Sequence, residues 1–100
     1  MKDGKTAPVS IQVELYGLAQ MACNRRQMYI DVPSEAVMTD IMQALVHACP
    51  ALRGLVIRDD LSGLYESYVL NLNGLAFVAR DRLQFKPGDT LLLFSSQAGG

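Results

Sequence analysis

The sequence predicts an α+β fold in which one main helix packs across one mixed sheet. Apolar and polar residues alternate over residues 9–16, which is typical of a strand with one buried side. Apolar residues recur at helical spacing over residues 37–48, which predicts an amphipathic helix. The apolar run at residues 90–94 shows little alternation, which indicates a strand in the middle of a sheet.

The first two strands are predicted to form a long hairpin. The second strand lies at residues 27–32, and both strands place their apolar side chains on one face. Gly17 ends the first strand, and residues 18–26 are predicted to be an irregular connection. The apolar residues that alternate in this way are Val9, Ile11, Val13 and Leu15, followed by Met28, Ile30 and Val32.

The main helix is predicted to begin directly after Pro33. Ser34 can accept a backbone hydrogen bond as the N-cap, and Glu35 lies in the first turn, where the helix dipole favours a negative charge. Pro50 ends the helix near Cys49, because proline cannot continue the backbone hydrogen bonding. The apolar stripe of this helix is expected to face the sheet.

The C-terminal half contains two turn signals. Residues 51–67 are predicted to be a connector with a short helical or extended turn around residues 52–57. A strand at residues 68–72 leads through Asn73 and Gly74, which are a strong hairpin signal, into a short strand at residues 75–78. The KPGD sequence at residues 86–89 then turns the chain into the last strand.

This order of elements predicts a β-grasp domain. If the first and last strands lie side by side in the middle of the sheet, they are parallel, and the helix covers the face that both strands bury. The sheet is expected to be mixed and to contain four to five strands. Residues 9–94 form the predicted domain, residues 1–8 a flexible N-terminus and residues 95–100 a flexible C-terminal arm.

Length and composition favour a single core. The chain has 100 residues, of which 50% are hydrophobic, so its core is expected to form without covalent cross-links. Cys23 and Cys49 are the only cysteines and occur in no CxxC or Cys/His spacing. We therefore expect no disulfide framework and no metal site, and a reducing compartment fits best.

The charge balance argues against nucleic acid and membranes as partners. Nine basic and ten acidic residues give a net charge of -1, which provides no electrostatic grip on nucleic acid or anionic lipid. Arg25 and Arg26 are expected to be solvated loop residues that can serve as rim charges. No apolar run reaches membrane-spanning length, so we expect a cytoplasmic protein whose partners are proteins.

No residue pattern indicates an independent active site. The only histidine, His47, lies in the helical pattern, and no serine lies in a nucleophile elbow. Asp59 and Asp60 precede a turn and are expected to be ordinary turn residues. No glycine-rich nucleotide-binding loop occurs, so any energy source that the chain uses must come from another protein. The methionines, among them Met21 and Met28, are expected to fill gaps in the core.

The chain ends in FSSQAGG, directly after the last predicted strand. With this ending, three stretches resemble the ubiquitin-like β-grasp sulfur carriers, above all the small subunit of molybdopterin synthase and more distantly the thiamine-pathway sulfur carrier. The resemblance covers residues 9–100. Its three stretches are VMTDIMQALVHACPAL at residues 37–52, VLNLNGLAFV at residues 69–78 and KPGDTLLLFSSQAGG at residues 86–100.

The resemblance implies that a separate, ubiquitin-activating-like enzyme uses ATP to adenylate the carboxylate of Gly100, which is then converted to a thiocarboxylate. Glycine at position 99 has no Cβ, which lets the end of the chain enter a narrow channel. No cofactor is expected to bind to this chain. The resemblance also implies partner-binding residues on the last strands and in the arm, namely Phe77, Leu92, Phe94, Ser95, Ser96, Gln97 and Ala98.

Three classes of function stay open from the sequence. The first is a sulfur carrier, as the small subunit that serves the large subunit of molybdopterin synthase, or for another sulfur-accepting enzyme of thiamine, cysteine or tRNA thiolation pathways. Family members often have prolines in the arm where this chain has Ser95 and Ser96, which leaves the pathway open. The second class is a ubiquitin-like protein modifier, and the third is a β-grasp interaction domain without covalent chemistry.

Overall fold

The computed structural model describes residues 7–77 and 82–96. The described chain forms seven strands, two α-helices and one short 3-10 helix. In chain order these are β1 (Pro8–Leu15), α1 (Gly17–Cys23), β2 (Gln27–Pro33), β3 (Glu35–Val37), α2 (Met38–Ala48), the 3-10 helix (Pro50–Leu52), β4 (Tyr68–Leu72), β5 (Ala76–Phe77), β6 (Arg82–Gln84) and β7 (Thr90–Ser95).

Five of these strands form the main sheet, in the order β2-β1-β7-β4-β5, and β3 pairs with β6 in a second, small sheet. The two central strands, β1 and β7, are parallel, while the other pairs of the main sheet are antiparallel. The predicted β-grasp fold is therefore confirmed, with a main sheet of five strands. The small sheet was not predicted.

One face of the main sheet and the apolar stripe of α2 form the core. The stripe consists of Ile41, Met42 and Leu45, none of which has any exposed surface. In β1 and β2 the predicted alternation is confirmed, because the inward residues pair across the hairpin in register. These pairs are Val9 with Val32, Ile11 with Ile30, and Val13 with Met28.

The connection between β1 and β2 is a helix, so the prediction of an irregular segment was wrong. Gly17 has φ +57°, which allows the chain to leave β1 and begin α1 at once. Ala19 and Cys23 are buried on one side of α1, and Asn24 ends it in the left-handed conformation with φ 56°. Seven residues are too few to show helical periodicity in the sequence.

The main helix begins later than predicted. Residues from Glu35 to Val37 pair with β6 as strand β3, and α2 begins at Met38. The carboxylate of Asp40 accepts a hydrogen bond from the backbone N–H of Val37 at 3.0 Å, so Asp40, and not Ser34, satisfies the start of the helix. Because β3 pairs with a strand 45 or more residues away, local sequence did not reveal it.

The connector between α2 and β4 is held by the core and by two arginines. Its residues Leu52, Val56 and Ile57 have no exposed surface. The guanidinium of Arg53 donates to the backbone carbonyl of Asp59 at 2.7 and 3.0 Å, and Arg58 donates to a second carbonyl farther along the connector. The Asp60 carboxylate accepts from the Ser62 N–H, and the hydrogen bonds from Ser62 lower the pKa of Asp60. The connector therefore has an ordered path, with ordinary turn chemistry at Asp60.

The two predicted turns of the C-terminal half bond to each other. Asn73 and Gly74 both have positive φ, 58° and 73°, as the predicted hairpin turn requires. The Asn73 amide donates to the buried carboxylate of Asp89 at 3.1 Å and accepts from the Thr90 N–H at 2.8 Å. Asp89 also accepts from the Lys86 N–H at 2.9 Å. These bonds join the ends of β4 and β7.

Cys23 and Cys49 form a disulfide, so the expectation of no disulfide was wrong. The bond joins the last residue of α1 to the C-cap of α2, with 5.9 Å between the two Cα atoms. No local pattern indicates this bond, because α1 was not predicted and the two residues are 26 apart in the chain. The argument from free cysteines to a reducing compartment therefore fails.

We expect reduction of this disulfide to lower the free energy of unfolding. Closing a loop of 26 residues in the unfolded chain corresponds to about 3.5 kcal/mol in the chain-entropy treatment. Urea denaturation with and without a reductant measures the difference. A Cys23→Ser/Cys49→Ser variant is the control, since its midpoint should not respond to the reductant. An equal midpoint for the native chain under both conditions would show that the disulfide does not form.

We also expect the Asp89→Ala variant to be destabilised by about 2 kcal/mol, because it leaves the Lys86 N–H and the Asn73 amide without their buried acceptor. Thermal or urea unfolding monitored by circular dichroism measures the loss. Asp31→Ala is the matched control, since Asp31 is exposed on the edge strand β2. Similar losses in the two variants would contradict a structural role for the Asp89 bonds.

Candidate functional site: the outer sheet face and the start of the arm

The main sheet has a second face, directed away from α2, which we call the outer face. Strand alternation decides which residues of the central strands lie there. In β7, Leu91 and Leu93 are fully buried on the core side, which places Leu92 and Phe94 on the outer face. The other outer-face residues of the neighbouring strands are Gln12 and Glu14 in β1, and Val69 and Asn71 in β4.

Leu92 and Phe94, two predicted partner-binding residues, are neighbours on this face. Leu92 lies between Glu14 of β1 and Asn71 of β4, and Phe94 lies opposite Val69. Both side chains are partly exposed, and neither belongs to the core. The structure therefore brings a small apolar surface to the end of the strand that leads into the arm. Phe77 lies opposite Asn71 in the register of β4 and β5.

Tyr16 extends this surface, and the sequence analysis did not identify it. Its ring contacts the ring of Phe94 edge to face, with 6.4 Å between centroids, and its hydroxyl donates to the Glu14 carboxylate at 2.7 Å. This hydrogen bond, with burial and the charge of Glu14, raises the pKa of the Tyr16 phenol. The alternation of Gln12 and Glu14 in β1, which Tyr16 continues directly after the strand, was a signal that could have revealed it.

Asn71 is a polar residue buried within the outer face. Only 8% of its surface is exposed, and its side-chain oxygen has no hydrogen-bond partner within residues 7–77 and 82–96. Such a group lowers stability, because it loses its hydrogen bonds to water on folding.

The arm begins at the same end of the sheet. Ser95 is the last residue of β7 and pairs with Tyr68, while the backbone N–H of Ser96 donates to the Ser67 carbonyl at 2.7 Å. The first two residues of the predicted arm are therefore attached to the domain. The remaining predicted arm and site residues, Gln97, Ala98, Gly99 and Gly100, lie outside the described residues.

One end of helix α1 lies beside this surface and exposes apolar side chains. Tyr16 precedes α1 directly, and Leu18 and Met21 follow with 41% and 76% of their surfaces exposed. The prediction that Met21 fills the core was wrong, whereas Met28 is buried as expected. In a seven-residue helix only one side can reach the core, and Ala19 and Cys23 occupy it.

The described part of the chain offers little support for a histidine site, a metal site or a membrane-spanning helix. His47 lies in the last turn of α2 beside a groove that Tyr29 and Asp40 also line. No group of three or more His, Cys, Asp or Glu side chains among residues 7–77 and 82–96 is arranged to hold a metal ion. Within the same residues, neither helix has the length and apolar character needed to cross a bilayer.

Comparison with known proteins adds to this geometry. No family model and no curated protein sequence matches the chain. Among solved structures, the small archaeal modifier protein 1 of Haloferax volcanii is 33% identical, with a TM-score of 0.73, and the match covers 91% of this chain and 99% of that protein. A second crystal structure of that modifier protein is 31% identical, with a TM-score of 0.71, and the match covers 86% and 95%.

A molybdopterin converting factor subunit 1 from Pyrococcus furiosus shares the fold. It is 18% identical to this chain, with a TM-score of 0.64, and the match covers 87% of this chain and 97% of that protein. At this identity the likeness concerns the fold alone, whereas the Haloferax volcanii modifier protein matches at higher identity over nearly its whole length. The chain thus belongs to the ubiquitin-like β-grasp family that includes the small archaeal modifier proteins, and it has the fold of the β-grasp sulfur carriers.

Proposed function

We propose that this chain is a sulfur carrier whose C-terminal glycine, Gly100, is adenylated and converted to a thiocarboxylate. The observation that supports the proposal most is a partly exposed apolar surface, formed by Leu92, Phe94 and Tyr16, at the end of a central strand. Four residues beyond the last described position, Ser96, the chain ends in Gly-Gly. In the proposed carrier, a docking surface therefore lies a short chain distance from the reactive Gly100 carboxylate.

The chemistry explains why another protein must act on the carrier. A terminal carboxyl group has a pKa of roughly 3.5, so at neutral pH it is an anion and a poor electrophile. Attack of the Gly100 carboxylate on the α-phosphorus of ATP forms an acyl adenylate and releases pyrophosphate. A hydrosulfide equivalent then adds to the acyl carbon and AMP leaves with the electron pair, which leaves a thiocarboxylate.

The reach of the chain end makes docking necessary. Four extended residues beyond Ser96 span at most about 14 Å, since an extended chain advances about 3.3–3.6 Å per residue. The adenylating enzyme must therefore bind the folded domain close to its active site. The outer face beside the arm has the side chains that such contact needs, because Leu92 and Phe94 remain partly exposed there.

For the pathway, we propose that the chain is the small subunit of molybdopterin synthase and gives its sulfur to a large subunit. The fold shared with molybdopterin converting factor subunit 1 supports this assignment. The ATP belongs to the adenylating partner, and no cofactor is assigned to this chain. Because the proposed activation consumes ATP, we also propose a cytoplasmic location.

A second function, covalent protein modification, is favoured by the Haloferax volcanii relative, which is named a modifier protein and is 33% and 31% identical in its two crystal structures. Both functions share the adenylate at Gly100 and differ in what attacks it. Intact-mass analysis of the protein from its native host detects one oxygen replaced by sulfur in a carrier. Isopeptide-linked Gly100 on lysines of other proteins, found by peptide sequencing, is the result expected of a modifier.

We expect Gly99→Ala to slow thiocarboxylate formation at least about tenfold, which corresponds to about 1.4 kcal/mol in the activation free energy. The reason is that a Cβ at position 99 hinders entry of the chain end into a narrow channel. The assay incubates the protein with ATP, the host's adenylating enzyme and a sulfur donor, and follows intact mass. Gly63→Ala is the matched control, since a Cβ at Gly63 meets no atom within 4 Å. A chain that lacks Gly100 is the unreactive reference. Normal loading of Gly99→Ala would contradict the proposed role.

We expect Phe94→Ala to raise the KM of the adenylating enzyme for this protein about tenfold or more, because an aromatic contact at the interface is lost. Tyr29→Ala is the control, since Tyr29 is an exposed aromatic residue on the edge strand β2. Both variants should keep a far-ultraviolet circular dichroism spectrum like that of the native chain. An unchanged KM for Phe94→Ala would exclude this part of the outer face from the contact.

A further inference from the structure

The exposed end of helix α1 carries an apolar surface bordered by positive charge. We call it the α1 patch and define it by Tyr16, Leu18, Met21, Arg25 and Arg26. The three apolar members expose 43%, 41% and 76% of their surfaces, in the order of the chain. Both arginines are exposed.

The members of the patch are brought together by local structure. Leu18 and Met21 are three residues apart in α1, so their side chains lie on the same side of the helix. Asn24 ends the helix in a left-handed conformation, and the chain returns to the sheet so that the Arg26 carbonyl accepts from the Leu15 N–H at 2.8 Å. The two arginines thus come directly after the C-cap of α1, and the backbone of Arg26 lies beside Leu15.

The topology places this patch at the end of the sheet where the arm leaves. β1 and β7 are parallel, so α1, which follows β1, lies at the C-terminal end of β7. The Tyr16 N–H donates to the Leu93 carbonyl at 3.1 Å, and the Tyr16 ring contacts Phe94. The patch is therefore continuous with the outer face through the contact between Tyr16 and Phe94.

The charged residues near the patch indicate which side chains of a partner suit it. Helix α1 contains no acidic residue, and the Glu14 carboxylate beside it already accepts the Tyr16 hydroxyl. The exposed guanidinium groups of Arg25 and Arg26, which follow the end of α1, favour carboxylates on a partner. Methionine adapts its shape to an apolar partner, and Met21 is the most exposed member of the patch.

We propose that the α1 patch is a second docking surface for the adenylating enzyme, which covers it with apolar side chains bordered by Asp or Glu. This inference rests on the proposed function, because it assigns the patch to the protein that receives the arm. Contact with the outer face and with the adjoining α1 patch would hold the arm in one direction. The outer face supplies one contact, through Leu92 and Phe94, and the α1 patch supplies the other.

The test measures adenylation of the full chain by the host's adenylating enzyme, as release of pyrophosphate, at several salt concentrations. We expect Met21→Glu, and separately Arg25→Glu with Arg26→Glu, to raise KM about tenfold while kcat stays unchanged, because only binding is removed. The KM of the native chain should rise with salt, and this dependence should weaken in the double arginine variant.

Leu75→Glu is the matched control for Met21→Glu. Leu75 is 87% exposed, and it lies in the turn beside the start of β7, at the end of the sheet opposite the patch. Its KM should equal that of the native chain. The buried residues of α1 are untouched in every variant, and unfolding midpoints check that the fold is kept.

The possible results distinguish failure of the second docking surface from failure of the proposed function. If the native chain is adenylated and the patch variants keep its KM, the second docking surface is excluded and the proposed function stands. If the native chain forms a dimer that Met21→Glu dissociates without a change in KM, the patch binds a second copy and the inference is wrong. If the native chain is not adenylated at all, the proposed function and this inference both fail.

Discussion

The parallel pairing of β1 with β7 at the centre of the sheet is the constraint on which the rest of the structure depends. Parallel neighbours cannot be joined by a tight turn, so the chain between them must cross over one face of the sheet. Helix α2 belongs to this crossover and packs on that face. The same pairing places the start of the C-terminal arm in the middle of the sheet, next to Tyr16 and helix α1. The position of the candidate site is therefore a consequence of the topology.

The register of β7 decides which side chains a partner can meet. A shift by one residue would move Leu91 and Leu93 to the outer face and would bury Leu92 and Phe94. The bonds of Asn73 with Asp89 and Thr90 oppose such a shift, because they join the turn after β4 to the turn before β7. Residues that match the family's turn signatures are thus structural, and they act on the site only through strand register.

The disulfide also acts indirectly, because it holds the helix that carries the α1 patch. A helix of seven residues has little stability of its own, since too few hydrogen bonds offset the cost of forming its first turn. Burial of Ala19 and the bond from Cys23 to Cys49 attach α1 to the domain on one side, while Leu18 and Met21 stay exposed on the other. The domain thus keeps an apolar helix side in a defined place without burying it.

The sequence by itself determined the elements whose signals are local. Alternation revealed β1 and β2, helical spacing revealed α2, and Asn73 with Gly74 revealed the hairpin, so the β-grasp order followed. Tertiary structure alone decided the existence of α1, β3, β6 and the disulfide, because each depends on a partner that is distant in the chain or on a helix too short to show a period. Tertiary structure also decided that Leu92 and Phe94 lie beside Tyr16 and the exposed end of α1, since that contact exists only once β1 and β7 pair.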